Sequence, residues 1–203
     1  MGSLRKWFAM TDGGILAIRD GVEGEELHLG DAYDESVYRE LLISVLRLQY
    51  QMRPDRDKIK YLEYEKQANA SRYQNLTPRA MTEASACILR KTNPDELIRK
   101  RIENFRYLYE KLSKARGITL LSKWIGDGDD NVPFGLTILT EDREGLYRYL
   151  VDCGIIPEIQ WILPVDYYKP GEDASFLSEH NLMLQCDQRY SVKDMQYVAD
   201  TII

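Results

Sequence analysis

Ser3-Leu4-Arg5-Lys6-Trp7-Phe8-Ala9-Met10-Thr11-Asp12-Gly13-Gly14 is the part of this chain that carries the most chemistry. A serine three residues before a lysine can lie on the same side of a helical turn, so that its hydroxyl and the lysine amine converge. Held in a desolvated pocket, a lysine loses its proton more readily and can form a Schiff base with an aldehyde. A neighbouring hydroxyl can hydrogen-bond a phosphate. The two glycines let the backbone turn tightly beside a flat ring. The pattern is short, and the same residues also describe an ordinary solvated N-terminal lysine. Beyond Gly14 the apolar Ile15-Leu16-Ala17-Ile18 reads as a strand following a turn.

Composition narrows the classes. With 203 residues, 44% hydrophobic and 30% charged, 13 Gly and 7 Pro, the chain is globular in make-up rather than disordered or collagen-like, and long enough for a real core. Its 27 basic residues against 33 acidic ones give a net charge of -6 and no basic field for a phosphate backbone. No apolar run is long enough for a membrane span, and Arg5 and Lys6 interrupt any signal-peptide core, so a cytoplasmic protein is expected. Cys87, Cys153 and Cys186 are spaced like reduced core thiols. His28 and His180 have no neighbours at metal-ligand spacing, and Asp127-Gly128-Asp129-Asp130 lacks the calcium-loop pattern, so no metal is expected. Asn69-Ala70-Ser71 and Asn75-Leu76-Thr77 fit the glycosylation pattern but carry no weight without secretion.

Along the chain, residues 34–53 show a helical apolar spacing at Val37, Leu41, Val45 and Leu48, stopped by Pro54. Residues 55–73 predict a second helix with a thin stripe at Ile59 and Leu62. Thr77-Pro78 reads as a cap and first helical position, opening a helix of small residues through Ala80, Ala84 and Ala86 to Leu89. Asn93, Pro94 and Glu96 form a capping-box signature for a long helix whose inner stripe is Ile98, Ile102, Phe105, Tyr109 and Leu112. Its outer face carries Lys100, Arg101, Glu103, Arg106 and Glu110, and Arg99-Lys100-Arg101 reads as solvated charge. After Gly117, residues 118–121, 133–139 and 155–163 predict strands, with a helix at 141–152 before the last. Leu182-Met183-Leu184 predicts another strand. Ser191 and Asp194 cap a closing helix with Met195, Val198 and Ile202 inward. The second half is α+β.

Ser3-Leu4-Arg5-Lys6 with Asp12-Gly13-Gly14 resembles the cofactor-lysine segment of the DegT/StrS-type aminotransferases, which are fold-type I pyridoxal phosphate enzymes. Later segments resemble that family in order: Met81-Thr82-Glu83 with Ala84 and Ala86, then Arg101-Ile102-Glu103-Asn104-Phe105, then Val132-Pro133-Phe134-Gly135. Gly154-Ile155-Ile156, Trp161-Ile162-Leu163-Pro164 and Asp187-Gln188-Arg189-Tyr190 complete the series. The resemblance implies an α/β fold-type I fragment, with residues 1–76 the end of the large cofactor-binding domain and residues 77–203 the small α+β domain. It implies Lys6 as the Schiff-base lysine and proton-moving base, and Ser3 as a contact to the cofactor phosphate. Arg79 and Arg189 are candidates for holding a carboxylate or phosphate through a forked hydrogen bond, each weighed against a surface salt bridge.

The implied reaction moves an amino group from an amino acid such as glutamate to a nucleotide-linked keto sugar, in a homodimer, as in polysaccharide biosynthesis. Many family members place the serine five residues before the lysine, whereas here it stands three before. Where the family often has a phosphate-reaching asparagine, Pro78-Arg79-Ala80 stands here, with Asn75 further back. Only five residues precede Lys6, while fold-type I enzymes draw a ring-nitrogen carboxylate, a stacking aromatic and a phosphate-binding turn from upstream. The expectation is therefore the C-terminal half of such an enzyme, inactive alone. The competing expectation is a non-catalytic interaction module that keeps the small-domain fold and exposes an apolar face around Trp7, Phe8 and residues 15–18.

Overall fold

The computed structural model describes residues 2–19, 28–32, 35–53, 58–71, 78–164 and 169–203. They fall into two units, Met1–Thr92 and Asn93–Ile203. Among the described residues, no helix is long and apolar enough to cross a membrane.

In the first unit, β1 (Gly2–Ser3) pairs antiparallel with β2 (Gly14–Ile15), Gly2 opposite Ile15 and Ser3 opposite Gly14. A single 3-10 turn, Leu4–Lys6, lies between them. The strand expected through Ile18 stops at Ile15. Beyond it Leu16 and Ile18 are more than half exposed and pair with no described strand.

Two helices, α1 (Glu35–Met52) and α2 (Lys58–Ser71), then pack side by side. Arg47 pairs with Glu65, and the Tyr50 and Tyr61 rings lie 5.7 Å apart. The side of α1 toward α2 carries Arg47 and Tyr50, and Ile43 is 3% exposed; of the expected stripe Val37 and Leu41 are half-buried, whereas Val45 and Leu48 are 52% and 55% exposed. Pro54, the expected stop, and Asn75 and Thr77 lie outside the described residues.

Helix α3 (Glu83–Lys91) starts later than the Thr77-Pro78 signal predicts. Thr82 is its cap, its hydroxyl accepting the Ser85 amide at 3.2 Å. Pro78 to Ala80 runs extended, because Gly30 N–H donates to the Pro78 carbonyl at 3.0 Å and Ala80 N–H to the Gly30 carbonyl at 3.1 Å. Helix α3 groups with the first unit, which runs to Thr92.

The second unit is built on α4 (Pro94–Leu112). Asn93 caps it by accepting the Asp95 amide at 3.0 Å. Glu96, expected to reach back to the cap, lies instead 4.0 Å from Lys100. The buried stripe is Leu97, Arg101, Asn104, Phe105, Leu108 and Leu112, about one residue around the helix from the expected one. Strands β3 (Ile118–Leu120), β4 (Gly135–Thr140) and β5 (Asn181–Gln185) form one antiparallel sheet in that order. Leu136 stands opposite Leu184, and Ile138 opposite both Leu182 and Leu120, so alternate residues share one apolar face.

Helices α5 (Arg143–Asp152), α6 (Glu172–His180) and α7 (Val192–Ile202) complete the unit. Ser191 and Asp194 form the expected capping box on α7. Phe105, Leu108, Leu136, Ile138, Leu182 and Met195 are at most 1% exposed within one cluster, and each such burial stabilises by about 1.5–3 kcal/mol. The strand expected at 155–163 is only a bridge: Glu158 exchanges both backbone hydrogen bonds with Met183 at 2.8 and 2.9 Å.

Gly135 sits where a Cβ would come within 2.9 Å of the Leu184 carbonyl and 2.6 Å of the Met183 side chain. Gly135→Ala is predicted to lower stability by about 1–3 kcal/mol in thermal unfolding. Gly126→Ala, with open space around it, should change it by less than about 0.5 kcal/mol.

Candidate functional site

Lys6 is the last residue of the 3-10 turn, and Ser3 is its extended N-terminal flank. Buried Leu4 pins the turn: its amide donates to the Gly13 carbonyl at 3.2 Å, and its carbonyl accepts the Trp7 and Phe8 amides at 2.9 and 3.0 Å. With Leu4 facing inward, Arg5 and Lys6 face out, and Lys6 is exposed. The described residues of the chain therefore do not enclose the amine in the desolvated pocket that its chemistry asks for. Ser3 is half-buried and makes no side-chain capping hydrogen bond, which leaves its hydroxyl available to an oxygen of another group.

The turn is fastened from the other side by Asp12. Its carboxylate accepts the Thr82 amide at 2.8 Å, the Thr82 hydroxyl at 2.7 Å and the Ser85 hydroxyl. Thr82 and Ser85 are at most 1% exposed, so these bonds form away from water at the N-terminus of α3, where the helix dipole also favours negative charge. Burial pushes the Asp12 carboxyl up, but the hydrogen bonds from Ser85, Thr82 and Thr11 outweigh it and hold the group below its ordinary value. Gly13 completes the fastening. Its φ of +116° suits glycine, and a Cβ there would lie 2.8 Å from the Met81 sulfur. Two segments far apart in sequence, the lysine turn and Met81-Thr82-Glu83, thus meet in one unit. Sequence reasoning treated Asp12 only as a turn residue. No local signal pairs it with Thr82, some 70 residues away.

In the second unit the Arg-x-x-Asn pair of α4 organises two loops. Arg101, expected on a solvated face, is 2% exposed. Its Nε donates to Gln188 Oε1 at 2.8 Å, its Nη1 donates to the Pro133 carbonyl at 3.1 Å, and its guanidinium stands 5.9 Å from the Phe134 ring. Burial pulls the guanidinium below its ordinary value, and the charge of Asp187 opposes that. One turn on, Asn104 Nδ2 donates to the Asp187 and Tyr190 carbonyls at 3.1 and 3.0 Å. The spacing of three places both side chains on the buried face; reading the flanking charges as a solvated run hid it. Arg106, also expected in solvent, donates to the Ile125 carbonyl at 2.9 Å and pairs with Asp127 at 2.7 Å.

The two arginine candidates differ in setting. Arg189 is exposed, but its fork is closed on Asp187, at 2.9 Å from Nε and 2.6 Å from Nη2. The salt-bridge alternative is therefore the arrangement present. Burial raises the Asp187 carboxyl, and hydrogen bonds from Arg189 with the charges of Arg189 and Arg101 bring it below its ordinary value. Arg79 is half-buried in the extended segment that bridges to Gly30. The Cys186 thiol is pushed up to about 12 by burial, and so stays protonated and inert.

A carboxyl depressed in the folded state contributes stability that is complete above its unfolded value, near pH 4, and is lost as pH falls through the lower folded value. Asp12→Asn is therefore predicted to remove part of the acid sensitivity of the first unit. It should also speed hydrogen exchange at the Thr82 amide by at least about 10-fold near neutral pH. Arg101→Met should cost the second unit about 2–4 kcal/mol in denaturant unfolding, because it strips partners from buried carbonyls and leaves Asp187 less compensated. Arg99→Met, whose contact to Glu103 is exposed at 3.5 Å, should cost under about 0.5 kcal/mol.

No family model matches the chain, and neither does any curated protein. Solved structures do match. DesV of S. venezuelae, in complex with a ketimine intermediate, is 18% identical over 69% of this chain and 43% of its own, with a TM-score of 0.51. A DegT DnrJ EryC1 StrS aminotransferase from Brucella abortus is 16% identical over 69% and 43%, with a TM-score of 0.50. DesI, solved in the presence of its TDP-sugar product, is 18% identical over 62% and 36%, also at 0.50. The chain spans less than half the length of each. At these identities the likeness is one of fold: the chain shares the fold of part of the fold-type I sugar aminotransferases.

Proposed function

We propose that this chain is the lysine-bearing C-terminal portion of a pyridoxal phosphate-dependent aminotransferase that aminates a nucleotide-linked keto sugar, with glutamate or a similar amino acid as donor. The observation that carries the reading is the Asp12 fastening, which joins the Ser3-to-Lys6 turn to the Met81-Thr82-Glu83 segment, two motifs that resemble one family. The fold shared with DesV and DesI supports it. The donor types suit the cofactor, with a primary amine, a serine hydroxyl not used in capping and a glycine pair beside them, while the pocket that would enclose the amine is not supplied by the described residues. Pyridoxal phosphate supplies, when bound, an aldehyde carbon and an electron-accepting ring. Lys6 Nζ would hold the aldehyde and, when free, would take up and return a proton. Ser3 Oγ would donate to a phosphate oxygen. Asp12 and Gly13 hold the turn that carries both. Arg189 and Arg79 remain candidates for a carboxylate or phosphate, Arg189 only by exchanging its Asp187 partner.

In this reading the working enzyme is a cytoplasmic homodimer, and the chain by itself does not turn over. The exposed Ile15, Leu16 and Ile18 give a second reading some support, that of an interaction module without catalysis.

Incubation of the chain with pyridoxal 5'-phosphate, followed by borohydride reduction and peptide mapping, separates the two readings. Lys6 should carry the label ahead of Lys111 and Lys123, and Lys6→Arg should abolish that preference. Labelling spread evenly over the surface lysines would count against the enzyme reading, and turnover by the isolated chain would contradict its proposed inactivity alone.

A further inference from the structure

Strand β3 is an edge of the sheet of the second unit, pairing with β4 on one side and with no described strand on the other. The ladder fixes which of its backbone groups are spare. Leu121 N–H donates to the Thr137 carbonyl at 3.0 Å, so by the antiparallel alternation Thr119 turns its N–H and C=O toward Leu139. Ile118 and Leu120 then turn theirs away from β4, and among the described residues these groups meet no partner. Beside the edge lies a cavity of about 370 Å³ that Thr119 and Leu139 line together with Phe176 and His180. His180 Nδ1 donates to the Phe176 carbonyl at 2.8 Å, and the two rings stack 4.2 Å apart, which makes a flat wall. Charge is distributed unevenly here. Residues 111–124 hold Lys111, Lys114, Arg116 and Lys123 and no acid, in a chain of net charge -6. Lys114, Arg116 and Lys123 are exposed at the two ends of the strand, without an ion pair to a described residue. Glu141 is the one acidic residue lining the cavity.

We propose that the outer edge of β3 is a docking site for an extended acidic peptide segment of a partner protein, which adds to the sheet as a further strand. The spare N–H and C=O groups of Ile118 and Leu120 bond its main chain, and the alternate side chain that falls beside Thr119 enters the cavity against Phe176 and His180. The cations at both ends of β3 select an acidic segment. An edge that is only protected against pairing carries its charge on the strand itself, whereas Ile118-Thr119-Leu120 carries none. A second copy of this edge is a poor occupant, because antiparallel self-pairing sets Arg116 of each chain against Lys123 of the other. The surface is small, so the complex is a transient one, with a Kd of roughly 100 µM or tighter. It does not rest on the aminotransferase reading, since the sheet edge is present whether or not Lys6 acts on an aldehyde.

Hydrogen exchange of the full chain with about 1 mM of an end-capped heptapeptide of alternating glutamate and leucine tests this. The Ile118 and Leu120 amides should exchange at least about 10-fold more slowly, and the Thr119 amide, already bonded to β4, should keep its rate. The same peptide N-methylated at its central amides should lose the effect. A peptide with lysine in place of glutamate should bind at least about 10-fold more weakly, and the triple variant Lys114→Glu, Arg116→Glu, Lys123→Glu should reverse that preference. Those three side chains are exposed, and unchanged exchange in α4 checks that the variant keeps its fold. No slowing at about 1 mM, slowing confined to other amides, or equal binding of the N-methylated or the lysine peptide would each overturn the proposal. So would protection of Ile118 and Leu120 that grows with protein concentration in the absence of peptide. Lys6 labelling is unaffected by any of these outcomes, so failure here leaves the enzyme reading to its own test.

Discussion

A single carboxylate holds the lysine-bearing turn in place. Asp12 stands at the N-terminus of α3 and accepts bonds from the Thr82 amide, the Thr82 hydroxyl and the Ser85 hydroxyl. A two-residue ladder and one 3-10 turn are too little structure to position a reactive amine, since short pieces of this kind bury almost nothing by themselves. The fastening substitutes charge-assisted hydrogen bonds for apolar area. Gly13 makes the close approach sterically possible, because any side chain there would strike Met81. The chemistry proposed for Lys6 depends on this local geometry more than on the breadth of the fold.

The second unit uses the same device on a larger scale. Its core is a conventional sheet-and-helix cluster, yet two buried polar side chains on α4 decide where the loops go. Arg101 gathers Gln188 and the 133–134 carbonyls, and Asn104 gathers the carbonyls of the 187–190 turn. Each would be costly if left unpaired in that setting, so the loops are held to one arrangement that satisfies them. Asp187, closed on Arg189 and facing Arg101, completes the charge balance.

These two brackets also mark where sequence reasoning stops. Asn93, Pro94, Ser191 and Asp194 announce helix starts because capping chemistry is local, and the structure places helices at both. Leu182-Met183-Leu184 is a strand as its β-prone character predicts. The inner face of α4 was misjudged by a fraction of a turn, because Arg101 looks like any surface arginine until the carbonyls of Pro133 and Phe134 are brought to it. The stripe of α1 was legible as apolar, but not that α2 would take the opposite side. Residues 155–163 are β-prone, yet they meet the sheet only at Glu158. In each case a long-range partner overrode a correct local preference. Of the candidate site, Lys6 and Ser3 are candidates that residue type and spacing bring forward. The clamp on them was not legible, because its other half lies in α3 and its cap.

Function follows from where an amine can act, and fold alone does not assign it. The most direct measurement is amino-group exchange between glutamate and a nucleotide-linked keto sugar, in the assembly in which this chain works, with Lys6 replaced by alanine. The account predicts that exchange falls by at least about 100-fold while the fold is retained. Exchange at the unaltered rate would contradict it.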